Sequence, residues 1–183
     1  MAEQWKIYGK QFQDDFVFSP KRFPALVSGW ATGKSLCGIL RAMFYSEHIP
    51  GNMGVIFRKE YTDLRDSTVR DFEKYTGKKV DSQRNVKFSN GSMIMFRHLE
   101  EVNNIQNINP GWIWIEQAEE LETDDEFWML QGRPRREVKP DSVFQKHQLP
   151  ERTAFITANA GSDWIRKLWR GDKAEIVQRL VAT

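Results

Sequence analysis

The sequence has very little cysteine and histidine, and this shortage excludes two kinds of stabilising site. One cysteine occurs among 183 residues, so the chain forms no internal disulfide and no cysteine-based zinc site. The lone thiol fits a reducing cytosol. The three histidines, His48, His98 and His147, lie far apart without the spacing of metal ligands, so we expect no transition-metal site.

Long apolar runs and a strong charge of one sign are absent too. No run of about eighteen apolar residues occurs, so we expect no membrane-spanning helix, and residues 1–16 lack the apolar core of a secretory signal. The formal net charge is only +2, so any nucleic-acid contact must come from a local basic patch. With 40% hydrophobic and 28% charged residues, the chain has the composition of a single globular domain.

Short apolar runs alternate with helix-like segments along the chain. Apolar residues recur at helical spacing over 36–44, and 61–77 is a predicted helix that ends at Gly77. Buried strands are predicted at four runs, 25–29, 53–58, 111–116 and 153–159. This order predicts an α/β domain with a largely parallel central sheet flanked by helices. We interpret residues 173–183 as a final helix or the start of a linker.

Two local patterns refine this picture. Residues 86–98 alternate on both sides of Asn90-Gly91, and Asn-Gly favours a type I′ turn, so we predict a β-hairpin near residues 86–98. Trp112 and Trp114 are two residues apart on one predicted strand. They therefore face the same side, where we expect them to pack against helices.

The segment from Ser28 to Ser35 nearly matches the phosphate-binding pattern G-x-x-x-x-G-K-[ST], with Ser28 in place of the first glycine. It follows a predicted strand and opens a predicted helix, where backbone N–H groups and the helix N-terminus attract phosphate. An ordinary strand–turn–helix junction is the alternative. The pattern predicts a nucleotide site in which Lys34 reaches the phosphates and Ser35 binds Mg²⁺. Its residues are Ser28, Gly29, Trp30, Ala31, Thr32, Gly33, Lys34 and Ser35.

Two further strands end in polar residues. Glu116 ends the apolar run Gly111–Ile115, as expected for a carboxylate that completes a Mg²⁺ shell. The other reading of Glu116 is simply the first polar residue after a buried strand. Thr157, Ala158 and Asn159 end the last strand at the sheet edge where α/β proteins bind ligands. Asn159 could there sense a γ-phosphate or a water, or it could cap a helix.

These three motifs, in this order, resemble the N-terminal ATPase domain of the phage terminase large subunit. The resemblance covers roughly residues 20 to 170. It includes VIFRKEYTDLRDSTVRDFEKY after the loop, the hairpin and acidic strand, FWMLQGRPRR as an arginine-containing helix, and ITANAGSDWIRKLW as the coupling motif with its following helix. Order and spacing together are far more specific than any single motif.

The resemblance implies a P-loop NTPase fold of the additional-strand type, with ATP and Mg²⁺ as ligands. It also implies double-stranded DNA as substrate, and a portal protein and a small terminase subunit as partners. A homo-oligomeric ring is expected in the assembled motor and a monomer in isolation, in the host bacterial cytoplasm. The family's C-terminal nuclease domain is built around an acidic cluster, and no such cluster follows residue 159. We therefore expect one ATPase domain over 1–183 and no nuclease activity from this chain. The nuclease either lies on a segment not included in this sequence or was lost, and the sequence does not distinguish these.

The sequence departs from the family pattern in the loop. Trp30 stands where a basic residue is common, and it cannot supply positive charge to a transition state. An arginine must therefore come from elsewhere, in cis or from a neighbour in a ring. The candidates are Arg133, Arg135 and Arg136, with Arg58 as a further one. The alternative role for the first three is a solvated or DNA-facing basic loop.

A second departure lies after the acidic strand. The family commonly follows the magnesium carboxylate with a glutamate that orients the attacking water, but here Gln117 follows Glu116. An amide can hold a water but is a poor proton acceptor. Glu119 or Glu120 could replace it, and the sequence does not distinguish them.

The sequence thus predicts an ATP-hydrolysing motor domain that couples hydrolysis to the movement of double-stranded DNA into a prohead. One alternative is a non-catalytic or weakened nucleotide- and DNA-binding subunit, in which Ser28, Trp30 and Gln117 record lost hydrolysis. A small-molecule P-loop kinase fits less well, because no lid or acceptor-site motif is apparent.

Overall fold

The computed structural model describes residues 10–101, 108–168 and 177–181. Its strands are β1 (Phe23–Val27), β2 (Met53–Arg58), β3 (Asn85–Lys87), β4 (Met93–His98), β5 (Trp112–Glu116), β6 (Thr153–Ala158) and β7 (Val177–Val181). Its α-helices are α1 (Gln11–Val17), α2 (Lys34–Glu47), α3 (Tyr61–Asp63), α4 (Arg70–Thr76), α5 (Asp125–Gln131), α6 (Ser142–Lys146) and α7 (Asp163–Leu168).

In the described ranges the strands form one sheet in the order β3-β4-β2-β5-β6-β1-β7. Every neighbouring pair is parallel except β3 with β4, which is antiparallel. β6 lies between β1, which leads into the glycine-containing loop, and β5, which ends in Glu116. This inserted strand is the defining feature of the additional-strand topology, so the predicted fold class is confirmed.

The predicted hairpin is present, but its turn differs from the prediction. Phe88 N donates to Ser92 O at 2.9 Å and Gly91 N to Phe88 O at 3.1 Å. Gly91 has a φ of 82°, whereas Asn90 is not among the residues with positive φ. A three-residue loop with one left-handed glycine therefore replaces the type I′ turn. The Asn90 side chain instead bonds Ser46 O and Glu47 O, which ties the hairpin to the end of α2.

The interpretation of residues 173–183 as a helix or linker was wrong for residues 177–181, and the rest of that range lies outside the described residues. Residues 177–181 form β7, which pairs in parallel with β1 from Phe23↔Val177 to Val27↔Val181. The apolar spacing of this short segment fits a helix as well as a strand. The open hydrogen-bonding edge of β1 decides between them, and that edge is a tertiary feature.

The strand β5 is buried on both faces. Trp112 and Trp114 belong to one core cluster with Phe44 of α2 and Phe72 of α4, as predicted. Ile113 and Ile115 belong to a second cluster on the other face, with residues of α5 and α7. A continuous apolar run in a parallel sheet is explained by this covering of both faces.

Two glycines make room for the indole rings of β5. A Cβ atom on Gly38 of α2 would lie 2.1 Å from the Trp114 ring, and one on Gly54 of β2 would lie 1.9 Å from the Trp112 ring. Beside Gly38, Cys37 is buried in the same core, and burial raises the pKa of its thiol to about 12. The single cysteine is therefore a packing residue.

The predicted helix over 61–77 is confirmed in extent but not in regularity. Between α3 and α4 the backbone forms a π-helical stretch, Leu64–Val69. The helix ends at Gly77, which caps it with a left-handed φ of 68°. None of the helices in the described ranges combines the length and the apolar character that crossing a lipid bilayer requires.

We predict that Gly38→Ala destabilises the protein, although alanine favours helix more than glycine does. The new methyl group would overlap the buried Trp114 ring, and overpacking of this kind costs about 1–3 kcal/mol, more than the helix gain of about 1 kcal/mol. Urea denaturation measures the loss. Gly132→Ala is the matched control, because nothing lies within 4 Å of a Cβ at that position. Equal stability of both variants would contradict the packing argument.

Candidate active site

The carboxyl ends of four parallel strands bring most of the candidate site residues to one edge of the sheet. The loop 28–35 follows β1, Arg58 ends β2, Glu116 ends β5 and Asn159 follows β6. This is the edge at which open α/β sheets bind ligands. The sequence predicted this convergence, because the strands are parallel.

The loop 28–35 is held in a wrapped conformation by its own backbone and by α1. Gly33 has a φ of 82° and Ala31 a φ of 58°, so two residues adopt left-handed geometry. Ser28 keeps a negative φ, and its hydroxyl bonds the Thr32 hydroxyl across the loop. Gln13 of α1 donates from Nε2 to Thr32 O at 3.1 Å. Ser28 therefore replaces the usual glycine without backbone strain.

Lys34, the first residue of α2, spans the loop and the end of β6. Its Nζ donates to Gly29 O at 2.6 Å and to Asn159 Oδ1 at 2.9 Å. Burial lowers the pKa of Lys34, and the nearby Glu119 carboxylate opposes that effect. An ammonium group at a helix N-terminus can donate hydrogen bonds to an anionic ligand, which the helix N-terminus also attracts.

Glu116 and Ser35 meet beneath the loop. Glu116 is only 2% exposed, and its Oε2 accepts a hydrogen bond from the Thr68 hydroxyl. Burial raises the pKa of the Glu116 carboxyl, while hydrogen bonds to Thr68 and Ser35 and the charge of Arg58 oppose the rise. A carboxylate and a hydroxyl side by side supply hard oxygen donors of the kind Mg²⁺ prefers.

Gln117 and Glu120 are both bound to Arg58. The Arg58 guanidinium donates to Gln117 Oε1 at 2.5 Å and to Glu120 Oε1 at 2.9 Å, and from Nε to Glu120 Oε2 at 3.3 Å. Gln117 also has left-handed backbone geometry, with a φ of 50°. Glu120 is therefore the counter-ion of a buried arginine, and the acceptor oxygen of Gln117 is occupied.

Glu119 points the other way, toward the loop. Its Oε1 accepts a hydrogen bond from Asn159 Nδ2, which links it through Asn159 to Lys34. Its Oε2 is buried and has no hydrogen-bond partner among the residues that the structure describes. Of the two glutamates that the sequence left open, only Glu119 has an oxygen without a hydrogen bond from the described residues.

A cavity of about 310 Å³ opens at this edge of the sheet, beside the phosphate loop. Trp30 forms part of its wall but is itself 81% exposed, so its indole contributes little to the core. Tyr75 and Asp71 of α4 also line the cavity. The phosphate-loop and strand-end residues in the wall are Ala31, Thr32, Gly33, Lys34, Ser35, Gln117, Thr157 and Asn159.

The arginines 133, 135 and 136 lie at the opposite edge of the sheet. The backbone amides of Arg135 and Arg136 bond Pro110 O, and Arg136 Nε bonds Gly51 O at 2.7 Å. Pro110 precedes β5, so about 20 Å of strand separates it from Glu116. These arginines also follow α5 and do not belong to it, contrary to the expected arginine-containing helix. Helix geometry is disfavoured before Pro134.

The sequence does not predict two contributors to this site, Thr68 and Gln13, and it predicts a different role for a third, Arg58. Thr68 is buried in the π-helical stretch, where the helix register is shifted. Gln13 lies on a helix that no motif marks. The sequence offers Arg58 as a candidate source of positive charge for the transition state, whereas the structure pairs it with Glu120. This ion pair depends on the path of the turn after β5, which no local sequence pattern encodes.

A family model described as phage terminase large subunit matches residues 21–181. The chain belongs to this family. No curated protein sequence matches the chain. The family match covers most of the sequence and includes all three predicted motifs.

Solved terminase structures share the fold at low sequence identity. The large terminase ATPase domain of Thermus phage P74-26 is 14% identical, with a TM-score of 0.64, over 97% of this chain and 81% of that one. The large terminase of a thermophilic bacteriophage is 11% identical, with a TM-score of 0.66, over 94% of this chain and 44% of that one. The present chain thus spans less than half of that terminase.

A structure described as the Phi-28 gp11 DNA packaging motor is more distant. It is 11% identical, with a TM-score of 0.50, over 93% of this chain and 59% of that one. Family membership and the shared fold together support a packaging-motor function for this terminase chain.

We predict that Glu120→Gln destabilises this terminase domain more than Glu119→Gln does. Glu120 neutralises the buried Arg58 guanidinium, and loss of a hydrogen bond to a charged group costs about 1.5–3 kcal/mol. In the part of the chain that the structure describes, Glu119 has no cationic hydrogen-bond partner, and a glutamine there could still accept the hydrogen bond from Asn159. Chemical denaturation of the two isosteric variants measures the difference. Equal destabilisation would show that the Arg58 pair is not the anchor of the turn.

Proposed function

We propose that this chain is the ATPase domain of a viral DNA-packaging motor, which binds ATP at the loop 28–35 and hydrolyses it. The observation that carries the proposal is the hydrogen-bonded series Lys34–Asn159–Glu119. It joins Lys34, which would bind phosphate and lines the cavity together with Asn159, to the Glu119 carboxylate. Among the described residues, Glu119 Oε2 has no hydrogen-bond partner.

Binding of ATP would use groups that already converge on the loop. The backbone N–H groups at the start of α2 would face the phosphates. The Lys34 ammonium, which now bonds Gly29 O and Asn159 Oδ1, would exchange these neutral acceptors for phosphate oxygens. A phosphate oxygen is the stronger acceptor, so the exchange is favourable.

The donor set at Ser35 and Glu116 fits Mg²⁺. Both side chains offer oxygen, and they are in contact with each other. The described residues contain no cluster of three or more His, Cys, Asp or Glu able to hold a metal, so further ligands would be phosphate oxygens and water, as is usual for Mg²⁺. When bound, the ion neutralises charge on the β- and γ-phosphates. Glu116 and Ser35 would hold it in place.

We assign orientation of the attacking water to Glu119. Its Oε2 is buried and lacks a partner within the described part of the chain, and Asn159 fixes the other oxygen. Such a carboxylate can accept a proton from water as the water attacks the γ-phosphate. Gln117 and Glu120 are both bound to Arg58 and are less suited to this role.

Transition-state charge would be stabilised by an arginine from a neighbouring subunit. Arg133, Arg135 and Arg136 lie at the far edge of the sheet from their own cavity, which supports action in trans within a homo-oligomeric ring. The ring, double-stranded DNA, a portal protein and a small terminase subunit are proposed partners on the strength of the family. We place this phage- or prophage-encoded motor in the host cytoplasm and propose no nuclease activity for this chain.

Nucleotide binding is tested by Lys34→Ala. Loss of one or two charge-assisted hydrogen bonds should weaken the binding of a fluorescent ATP analogue by about tenfold to a hundredfold. Lys21→Ala is the control, because it removes the same charge from an exposed position at the other end of β1. Unchanged affinity in a folded Lys34→Ala variant would end the nucleotide-site proposal.

Hydrolysis is tested by Glu119→Gln. We expect ATP affinity to stay nearly intact and turnover to fall by about a hundredfold to ten-thousandfold, because the base is lost. Phosphate release with and without double-stranded DNA is the measurement. Glu122→Gln makes the same chemical change at a side chain that is 89% exposed and should leave turnover unchanged.

Normal turnover in Glu119→Gln would contradict the assignment of the base. Tight ATP binding by the unsubstituted chain without phosphate release, with or without DNA, would instead support the non-catalytic nucleotide- and DNA-binding subunit.

A further inference from the structure

The π-helical stretch Leu64–Val69 changes which residues of the helix face the sheet. In a regular α-helix, residues four apart drift around the axis by about 40° per step. The wider π turn offsets this drift. Leu64, Thr68 and Phe72 are consequently all buried, at 0%, 1% and 0% exposure. π-helical turns are rare and occur frequently at functional sites.

This register places a polar side chain, Thr68, between two apolar ones and against the buried end of β5. Its hydroxyl donates to Glu116 Oε2. Arg58 Nη1 lies 3.5 Å from the same hydroxyl oxygen and can only donate to it. A hydroxyl carries one proton, so the arginine on one side directs that proton toward the carboxylate on the other.

The hydrogen bond leaves Glu116 with one oxygen fixed by the helix. The Ser35 hydroxyl of the phosphate loop contacts the same carboxyl group. A carboxylate that could rotate freely would lose side-chain entropy whenever it took part in metal binding. Holding one oxygen in advance removes part of that cost, as is usual for partners of metal-binding carboxylates.

We propose that Thr68 is a positioning residue for the magnesium carboxylate Glu116, presented by the π-helical turn. This inference rests on the proposed function. Thr68 also joins Glu116 to the Arg58–Glu120 pair, so the carboxylate beneath the loop and the turn after β5 share one hydrogen-bonded network.

The test compares Thr68→Val with Thr68→Ser in the whole chain. Valine keeps the branched shape without the hydroxyl, and serine keeps the hydroxyl. Binding of a fluorescent ATP analogue is measured as Mg²⁺ is titrated, and again in EDTA. We expect Thr68→Val to need about 10–100 times more Mg²⁺, with unchanged binding in EDTA. Thr68→Ser should stay close to the unsubstituted chain.

A packing effect is separated from positioning by two controls. Val69→Ala removes a partly buried side chain from the same turn and should leave the Mg²⁺ requirement unchanged. In a Glu116→Gln background, Thr68→Val should shift the Mg²⁺ requirement no further, because both substitutions disrupt one interaction.

Several results would overturn the inference. They are a Thr68→Val variant with the Mg²⁺ dependence of the unsubstituted chain, equal shifts in the valine and serine variants, or additive shifts with Glu116→Gln. If circular dichroism shows that Thr68→Val is unfolded, the Mg²⁺ requirements of Thr68→Ala and Thr68→Ser are compared in its place. If the unsubstituted chain binds no nucleotide, the proposed function fails and this inference with it. If it binds and the Thr68 variants match it, the inference alone fails.

Discussion

A carboxylate buried in a protein must be stabilised by hydrogen bonds and by positive charge, and the site of this protein is built around one such carboxylate. Glu116 ends β5 at 2% exposure, where an ion without partners would be costly. Thr68 and Ser35 supply hydrogen bonds, and Arg58 supplies charge. Each partner comes from a different element: the π-helical stretch, the N-terminus of α2 and the end of β2. Satisfying this one group therefore fixes the relative placement of three elements around the cavity.

Packing behind the site holds β5 in position. Trp114 fills the space that Gly38 leaves on α2, and its Nε1 donates to Thr157 of β6 at 3.0 Å. Arg41 of α2 is fully buried and donates to Phe16 O and Val17 O at the end of α1. Because α1 also carries Gln13 to the phosphate loop, the core links the loop to both of its neighbouring helices.

The two ends of the sheet have different chemistry. The carboxyl edge holds Glu116, Glu119 and a cavity lined by Lys34 and Asn159. The amino edge holds the basic segment 133–136, which bonds the chain around Gly51 and Pro110. Among the described residues, the arginines 133, 135 and 136 therefore lie at the end of the sheet opposite the phosphate loop. This separation is the reason for proposing that they act in trans.

Local pattern determined the strands of the core, the phosphate loop, the hairpin and the convergence of Lys34, Glu116 and Asn159, because parallel strands end at one edge. Tertiary structure decided the rest. β7 forms because β1 offers an open edge, and Asn90 bonds α2 in place of adopting a type I′ turn. Thr68 faces inward because a π turn shifts the helix register. The turn after β5 directs Glu120 to Arg58 and Glu119 to Asn159, and no local pattern encodes the path of a turn between two partners distant in sequence.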